Sequence, residues 1–383
     1  MNNSLPDKSP GSRLVQFRNI LIKGFVLFWV VNCLFALINP LPTLGRISGY
    51  NFLFPGRKRL PYGDNPERAY NLSLFQLDAM FASHEISAGT KPNQEYRVIV
   101  IGDSSTWGYL LRPEETLTNQ LNLINLTTPD DRIIRFYNLG YPVMSLTKDL
   151  LILSRSLRYK PDMIIWMVTL ESFPVDKQLY PPLLQNNATE VQKLILDQKL
   201  HLDPNNPALV HPTLWDRTIV GQRRTLADII RLQLYGIQWA ATGIDQDIPS
   251  IFTPHMEDLP NNTMFHNFPP PHLNPTTLSL DVLQAGKLMA AGIPIFIINE
   301  PIFISQGINS NIRYNYYYPR WAYDDYRQIL YDSCQINHWN CLDLWNAIDP
   351  AEFTNTAVHM TPRGTAQTAD LIWPTIISFI QKK

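Results

Sequence analysis

Hydrophobic positions along the chain fall into three regimes. The first is a continuous block. Gly24 to Ile38 read GFVLFWVVNCLFALI, with Asn32 as the only strongly polar member, and extending back to Ile20 adds only Lys23 as an interruption. Residues 20–38 would reach roughly 28 Å as a helix, close to the hydrocarbon thickness of a bilayer. A buried core helix would carry a polar stripe, and this block has none. A cleaved leader would carry a small-x-small site, which Asn39-Pro40-Leu41-Pro42 lacks. The expectation is an uncleaved transmembrane anchor at residues 20–38, seated in lipid.

Charge around the block sets its orientation. Lys8, Arg13, Arg18 and Lys23 come before or within its start, whereas Arg46 is the only basic residue soon after it. The positive-inside tendency makes residues 1–19 a cytoplasmic segment. Everything beyond about residue 40 would lie outside the cytoplasm, as a single-pass protein of the cell membrane.

The second regime, residues 39–95, is irregular and broken by Pro42, Pro55, Pro61 and Pro66. It reads as a stalk or packing segment. In the third, residues 96–383, short β-branched runs alternate with helical spacing. Strands are expected at 96–101, 133–139, 163–168, 293–298 and 339–344. Helices are expected at 146–157, 278–291 and 363–381, the last with Ala369, Ile372, Ile376, Phe379 and Ile380 on one face and a kink at Pro374. That alternation means an α/β fold with a parallel, flavodoxin-like sheet in a three-layer α/β/α arrangement. Residues 175–277 interrupt it and read as an insertion, or lid, with helical patches near 191–200 and 223–236.

Charge and composition narrow the function classes. Lysine and arginine number 32 against 33 acids, a net charge of −1, so no basic field for nucleic acid exists. Arg223-Arg224 is too short to make one. No glycine-rich phosphate loop or dinucleotide fingerprint occurs, and no cofactor is expected. His201, His211, His255, His266 and His272 lack metal-ligand spacing, so no metal is expected either. Cys334 and Cys341 could pair in an oxidising compartment or remain two buried thiols; Cys33 lies in the apolar block.

Two segments carry candidate chemistry. Gly102-Asp103-Ser104-Ser105-Thr106-Trp107-Gly108 follows the first strand, where a sharp turn can expose a serine beside backbone N–H donors. The same residues could serve only as a helix cap. His359, in His359-Met360-Thr361-Pro362-Arg363-Gly364, precedes the last helix and could reach the mouth of the first strand as a general base.

Together these segments resemble the blocks of the SGNH (GDSL-type) hydrolase superfamily over about residues 96–381, apart from the insertion. The resemblance implies the SGNH hydrolase fold, with Ser104 as nucleophile and His359 as base. It implies an oxyanion hole from the Ser104 and Gly140 N–H groups, Gly140 falling in Asn138-Leu139-Gly140-Tyr141. Two departures stand out. The third block is Val168-Thr169-Leu170-Glu171, with no asparagine, and Thr169 is the stand-in. The acid expected three residues before His359 is Thr356, with Asn355 beside it; Asp343 and Asp349 are alternatives for orienting the ring. The resemblance implies an esterase or acyltransferase acting on an acyl ester, such as one on a cell-surface glycan. The opposing reading is a non-catalytic binding or assembly protein that has kept the fold. The dense run Tyr314, Tyr316, Tyr317, Tyr318, Trp321 and Tyr323 reads either as a sugar-stacking wall or as a packed loop.

Overall fold

The computed structural model describes residues 10–63 and 65–382. At its centre is a sheet of β1 (Glu95–Ile101), β2 (Ile133–Asn138), β3 (Met163–Val168), β4 (Ile295–Asn299) and β5 (Asn340–Asp343). All neighbours are parallel, in the order β2-β1-β3-β4-β5. The main helices are α1 (Pro10–Ile38), α2 (Ser104–Trp107), α3 (Leu117–Leu123), α4 (Leu146–Ser156), α5 (Ala188–Gln198), α6 (Arg223–Thr242), α7 (Leu280–Met289), α8 (Arg320–Ile336) and α9 (Pro362–Gln381).

The central strands are apolar at successive positions because both faces of the sheet are covered. Ile99, Ile101, Ile164, Trp166 and Ile297 enter one core with residues of α4, α7 and α8. Their neighbours Val98, Val100, Ile165, Met167 and Ile298 enter the other with residues of α3 and α9. On α9 the buried apolar side chains are Ala369, Ile372, Ile376 and Ile380, spaced three and four apart. Each fully buried isoleucine there contributes about 1.5–3 kcal/mol. Phe379 meets Phe296 edge-on at 4.9 Å, and the helix continues through Pro374.

The larger departures from the sequence pattern have physical causes. α8 was expected in part as an aromatic loop. Its buried positions are Ala322, Tyr323, Tyr326, Leu330 and Cys334, a helical spacing in which two of the five members are tyrosines. Tyr314, Tyr318 and Tyr323 are buried and pack on one another, while Tyr316 is exposed. Cys334 and Cys341 form a disulfide that ties α8 to β5, with Cα atoms 6.3 Å apart.

Residues 39–95 form several short helical turns and place Leu60, Leu74, Met80, Phe81 and Ile86 in the first core. Residues 175–277 add Leu183, Val191, Ile195, Leu232 and Phe265 to that same core. α1 stands apart from both cores. Its stretch Leu14–Ile38 has a mean hydropathy of 2.3 and is almost wholly exposed, whereas a soluble core helix would be mostly buried.

Candidate active site

The chain leaves β1 for β2 on one side and then crosses to β3 on the other. Between β1 and β3 the connections diverge, which opens a crevice at the carboxyl ends of the strands. Ser104 stands there as the first residue of α2. Asp103 caps this short helix, its carboxylate accepting the Ser105 N–H at 2.7 Å. The turn is tight because Gly140 lies against it. A Cβ on Gly140 would come within 2.5 Å of Trp107 N and 2.8 Å of Thr106 C.

His359 reaches the crevice from a narrow hairpin-like loop. Phe353 and Met360 form an antiparallel bridge, and the Thr354 N–H donates to His359 O at 2.8 Å. Thr356 Oγ1 accepts the His359 N–H at 3.2 Å and so fixes the loop backbone. Thr361 then caps α9 by accepting the Gly364 N–H at 3.1 Å. Gly364 suits this position because a Cβ would lie 2.9 Å from Glu352 Cβ.

The outcome is a linear relay. Ser104 Oγ is 2.8 Å from His359 Nε2, and His359 Nδ1 is 2.8 Å from Asn355 Oδ1. An amide oxygen only accepts, so the ring carries its proton on Nδ1 and offers a bare Nε2 to the serine hydroxyl. The imidazole also stacks on Tyr109, with centroids 4.8 Å apart. Burial pushes its pKa down to about 4. The ring is therefore neutral at ordinary pH, the form a general base needs.

Thus Ser104, His359 and Asn355 come together, with Thr356 supporting the loop. Asp343 is engaged by Arg327 at 2.8 Å and by Asn299, and Asp349 caps a short turn at Ala351, so neither orients the ring. The oxyanion donors fare differently. The Gly140 N–H donates to Asn138 Oδ1 at 3.0 Å. Thr169 is fully buried with its hydroxyl on Tyr318 at 3.0 Å. Among the described residues the Ser104 N–H has no acceptor and remains for an oxyanion.

Beneath the turn lies a network that the sequence pattern did not suggest. Glu300, directly after β4, is buried with its carboxyl group facing Asp103 and the Ser105 side chain. Burial, and then the charge of Asp103, raise its pKa well above the usual carboxyl range. A protonated Glu300 donating to Asp103 accounts for two buried carboxyl groups side by side. Lys148 is fully buried, donates to Gly102 O at 2.9 Å and pairs with Asp149 at 2.8 Å. Trp166 Nε1 also donates to Asp149, whose pKa burial raises to about 6 despite Lys148. The one signal in the sequence was positional, since Glu300 sits at the carboxyl end of a strand.

Two cavities flank the relay and share Asn355. One, of about 290 Å³, is lined by Trp107, Tyr109, Tyr62 and Phe252; the other, of about 210 Å³, by His255, Phe303, Tyr316 and Tyr317. Segment 249–256 borders both, and the His255 N–H donates to Thr354 O at 2.9 Å beside the loop that carries His359. Among the described residues no cluster of three or more His, Cys, Asp or Glu is arranged to hold a metal.

No protein-family model matches the chain, and no curated protein does. Among solved structures it is similar to a carbohydrate acetylesterase family member from Sinorhizobium meliloti, at 12% identity and TM-score 0.33, over 75% of this chain and 100% of that one. It is similar to LAE5, an alpha/beta hydrolase from the metagenome of Lake Arreo, Spain, at 12% identity and TM-score 0.33, over 73% and 94%. A gut microbial diltiazem-metabolizing enzyme matches at 12% identity and TM-score 0.31, over 76% and 48%. Likenesses this distant leave the function to be argued from the site.

Proposed function

We propose that the chain is a membrane-anchored, extracytoplasmic serine esterase or O-acyltransferase of the SGNH type, acting on acyl esters such as those of cell-surface glycans. The observation that carries this reading is the relay Ser104–His359–Asn355, with both contacts at 2.8 Å. Ser104 Oγ attacks the ester carbonyl carbon while its proton moves to His359 Nε2. The oxyanion takes the Ser104 N–H. His359 then returns the proton to the departing alcohol, leaving an acyl-Ser104 ester. Water or a sugar hydroxyl, deprotonated by the same Nε2, releases the acyl group. The exposed Tyr316 and half-buried Tyr317 at the second cavity support a ring-shaped acceptor.

A second reading, a tethered binding protein on a retired hydrolase scaffold, is favoured by the commitment of the Gly140 and Thr169 donors elsewhere. Losing one oxyanion donor costs about 10²–10³ in rate. Hydrolysis of an aryl acetate by the full chain in detergent, beside folded Ser104→Ala, separates the two. Activity that disappears with the substitution supports the enzyme. Equal, negligible rates with aryl acetate and with acetylated oligosaccharide, alone or with a sugar acceptor, support the binding protein.

A further inference from the structure

Asn32 is buried although it lies in the apolar stretch of α1. Its Oδ1 accepts the Val220 N–H at 3.2 Å, and its Nδ2 donates to Phe28 O at 2.9 Å. Nearby, Trp29 packs on Trp215 with centroids 5.8 Å apart. The insertion therefore runs along the last third of α1. At 1.5 Å per residue Leu14–Ile38 spans about 37 Å, against about 30 Å of hydrocarbon, and Asn32 stands only about 9 Å from its end. A bilayer that covers α1 nearly to Ile38 also reaches the residues packed on Asn32.

The surface around that contact has the matching chemistry. Leu214 and Trp215 are exposed on the loop, and Ile230, Leu234 and Ile237 form an exposed apolar row on α6, four and three residues apart. Phe52, Leu53 and Phe54, soon after α1, are exposed as well, Phe52 by 86%. The two patches are joined, since the Tyr50 N–H donates to Gln233 Oε1 at 3.4 Å and the Tyr50 ring packs against Gly236. The rim is basic. Arg46, Arg155 and Arg158 share the single buried carboxylate of Asp78 at 3.1–3.5 Å. A cleft of about 510 Å³ between Arg46 and Arg158 opens beside Phe52. Arg223 and Arg224 are exposed at the start of α6.

We propose that residues 210–237 of the insertion, together with residues 47–54, form a second membrane contact, seated in the leaflet at the carboxyl end of α1 and facing anionic lipid. An exposed apolar row bordered by arginines is the composition of an element lying in a bilayer interface. The inference rests on the reading of α1 as a membrane anchor. From this seat the chain leads to Asp245, which pairs with the buried Arg59, and to Gln246, whose amide donates to Gly108 O at 3.2 Å behind the nucleophile turn. The insertion thereby holds the Ser104 crevice at a set height over the membrane.

The test is depth-dependent quenching in the full chain, reconstituted in phosphatidylcholine vesicles containing phosphatidylglycerol. Single cysteines are introduced in a Cys33→Ala background that keeps the disulfide, and labelled with a polarity-sensitive fluorophore. Lipid-borne nitroxides should quench probes at Leu214→Cys, Ile237→Cys and Phe52→Cys nearly as strongly as one at Val26→Cys. Probes at Leu123→Cys and Ile336→Cys, apolar and equally exposed elsewhere, should stay unquenched. Quenching at Val26→Cys alone overturns the proposal and leaves the anchor standing. No quenching at Val26→Cys overturns the anchor, and the proposal with it.

Discussion

Replacing Asn355 by aspartate tests the relay most sharply, because the change is nearly isosteric and adds one charge beside His359 Nδ1. In the proposed reaction the imidazolium of His359 would face a neutral amide, and burial opposes it, holding the His359 pKa at about 4. A carboxylate at the same place, with charge centres about 4 Å apart, would attract the imidazolium by about 4 kcal/mol at an effective dielectric of 20. Part of that is lost in desolvating the new charge. A rise in the His359 pKa of about 1–3 should remain. The base becomes stronger, and kcat/KM at neutral pH should grow about tenfold. Asn355→Ala has the opposite sense, since loss of a neutral hydrogen bond worth about 0.5–1.5 kcal/mol slows turnover about 3–10-fold before any ring reorientation. Two measurements decide the matter. The acid limb of kcat/KM for aryl acetate should move from near pH 4 toward 6. The His359 ring, assigned in nitrogen-correlated NMR spectra by comparison with His359→Gln, should titrate with the same displacement whether or not the substrate is accepted. An unmoved titration in folded Asn355→Asp would refute residue 355 as the partner of Nδ1.

Further expectations follow from the buried groups. Glu300 keeps its proton in the folded chain above pH 4.5, its ordinary value, where the unfolded chain has lost it. Stability therefore falls as pH rises through that interval, by at most about 1.4 kcal/mol per pH unit. Folded Glu300→Gln should lose this component in urea titrations across pH; an unchanged slope would count against a protonated Glu300. His84, also buried and lowered to about 4, acts in the opposite sense by losing stability as pH falls from 6.5 toward 4. Asp245→Ala leaves Arg59 charged and buried, and should cost about 3–5 kcal/mol of stability. Ile376→Ala, in the core under α9, should cost about 2–5 kcal/mol in the same assay.

How much of this was legible in the sequence depended on whether the signal was local. The run Met163–Val168 needs only its own apolar side chains to declare a buried strand, and its bounds coincide with β3. The α9 face is equally explicit, because isoleucines recur at helical intervals. α8 was obscured because its buried positions include Tyr323 and Tyr326, which look like surface residues until their hydroxyls reach Asn299 Oδ1 at 3.3 and 3.1 Å. Ser104 and His359 were visible as candidates by position, each at the edge of a regular element. Asn355 was a candidate too, but which of Asn355, Thr356, Asp343 and Asp349 meets Nδ1 was not legible, because it depends on the course of a loop closed by Thr354 and Thr356.

The buried charges under the Ser104 turn were illegible for a different reason. Lys148 and Asp149 lie within an ordinary helical pattern, and Asp103 looks like a capping residue. Their burial arises only when Gly102 O, the α4 terminus and the end of β4 converge from three distant parts of the chain. Such a cluster is costly unless each charge is compensated, and breaking one partner of a buried pair typically costs about 3–5 kcal/mol. The chain bears that cost directly beneath Ser104 and not at random in the core. The oxyanion hole, by contrast, is spare, with only the Ser104 N–H among its candidate donors lacking another acceptor. Rigidity of the turn and scarcity of donors together favour a site that positions one serine with care and leaves the rest of the stabilisation to the bound substrate. On the proposed glycan substrate, sugar hydroxyls would bring such donors into the crevice. The transferase branch of the proposed function has an acceptor sugar bring more hydroxyl donors to the crevice than a single water does. It predicts that adding a sugar acceptor speeds acyl loss from Ser104 more than it improves binding of the donor, measured as kcat against KM. Acyl loss at the same rate with and without the acceptor would refute it.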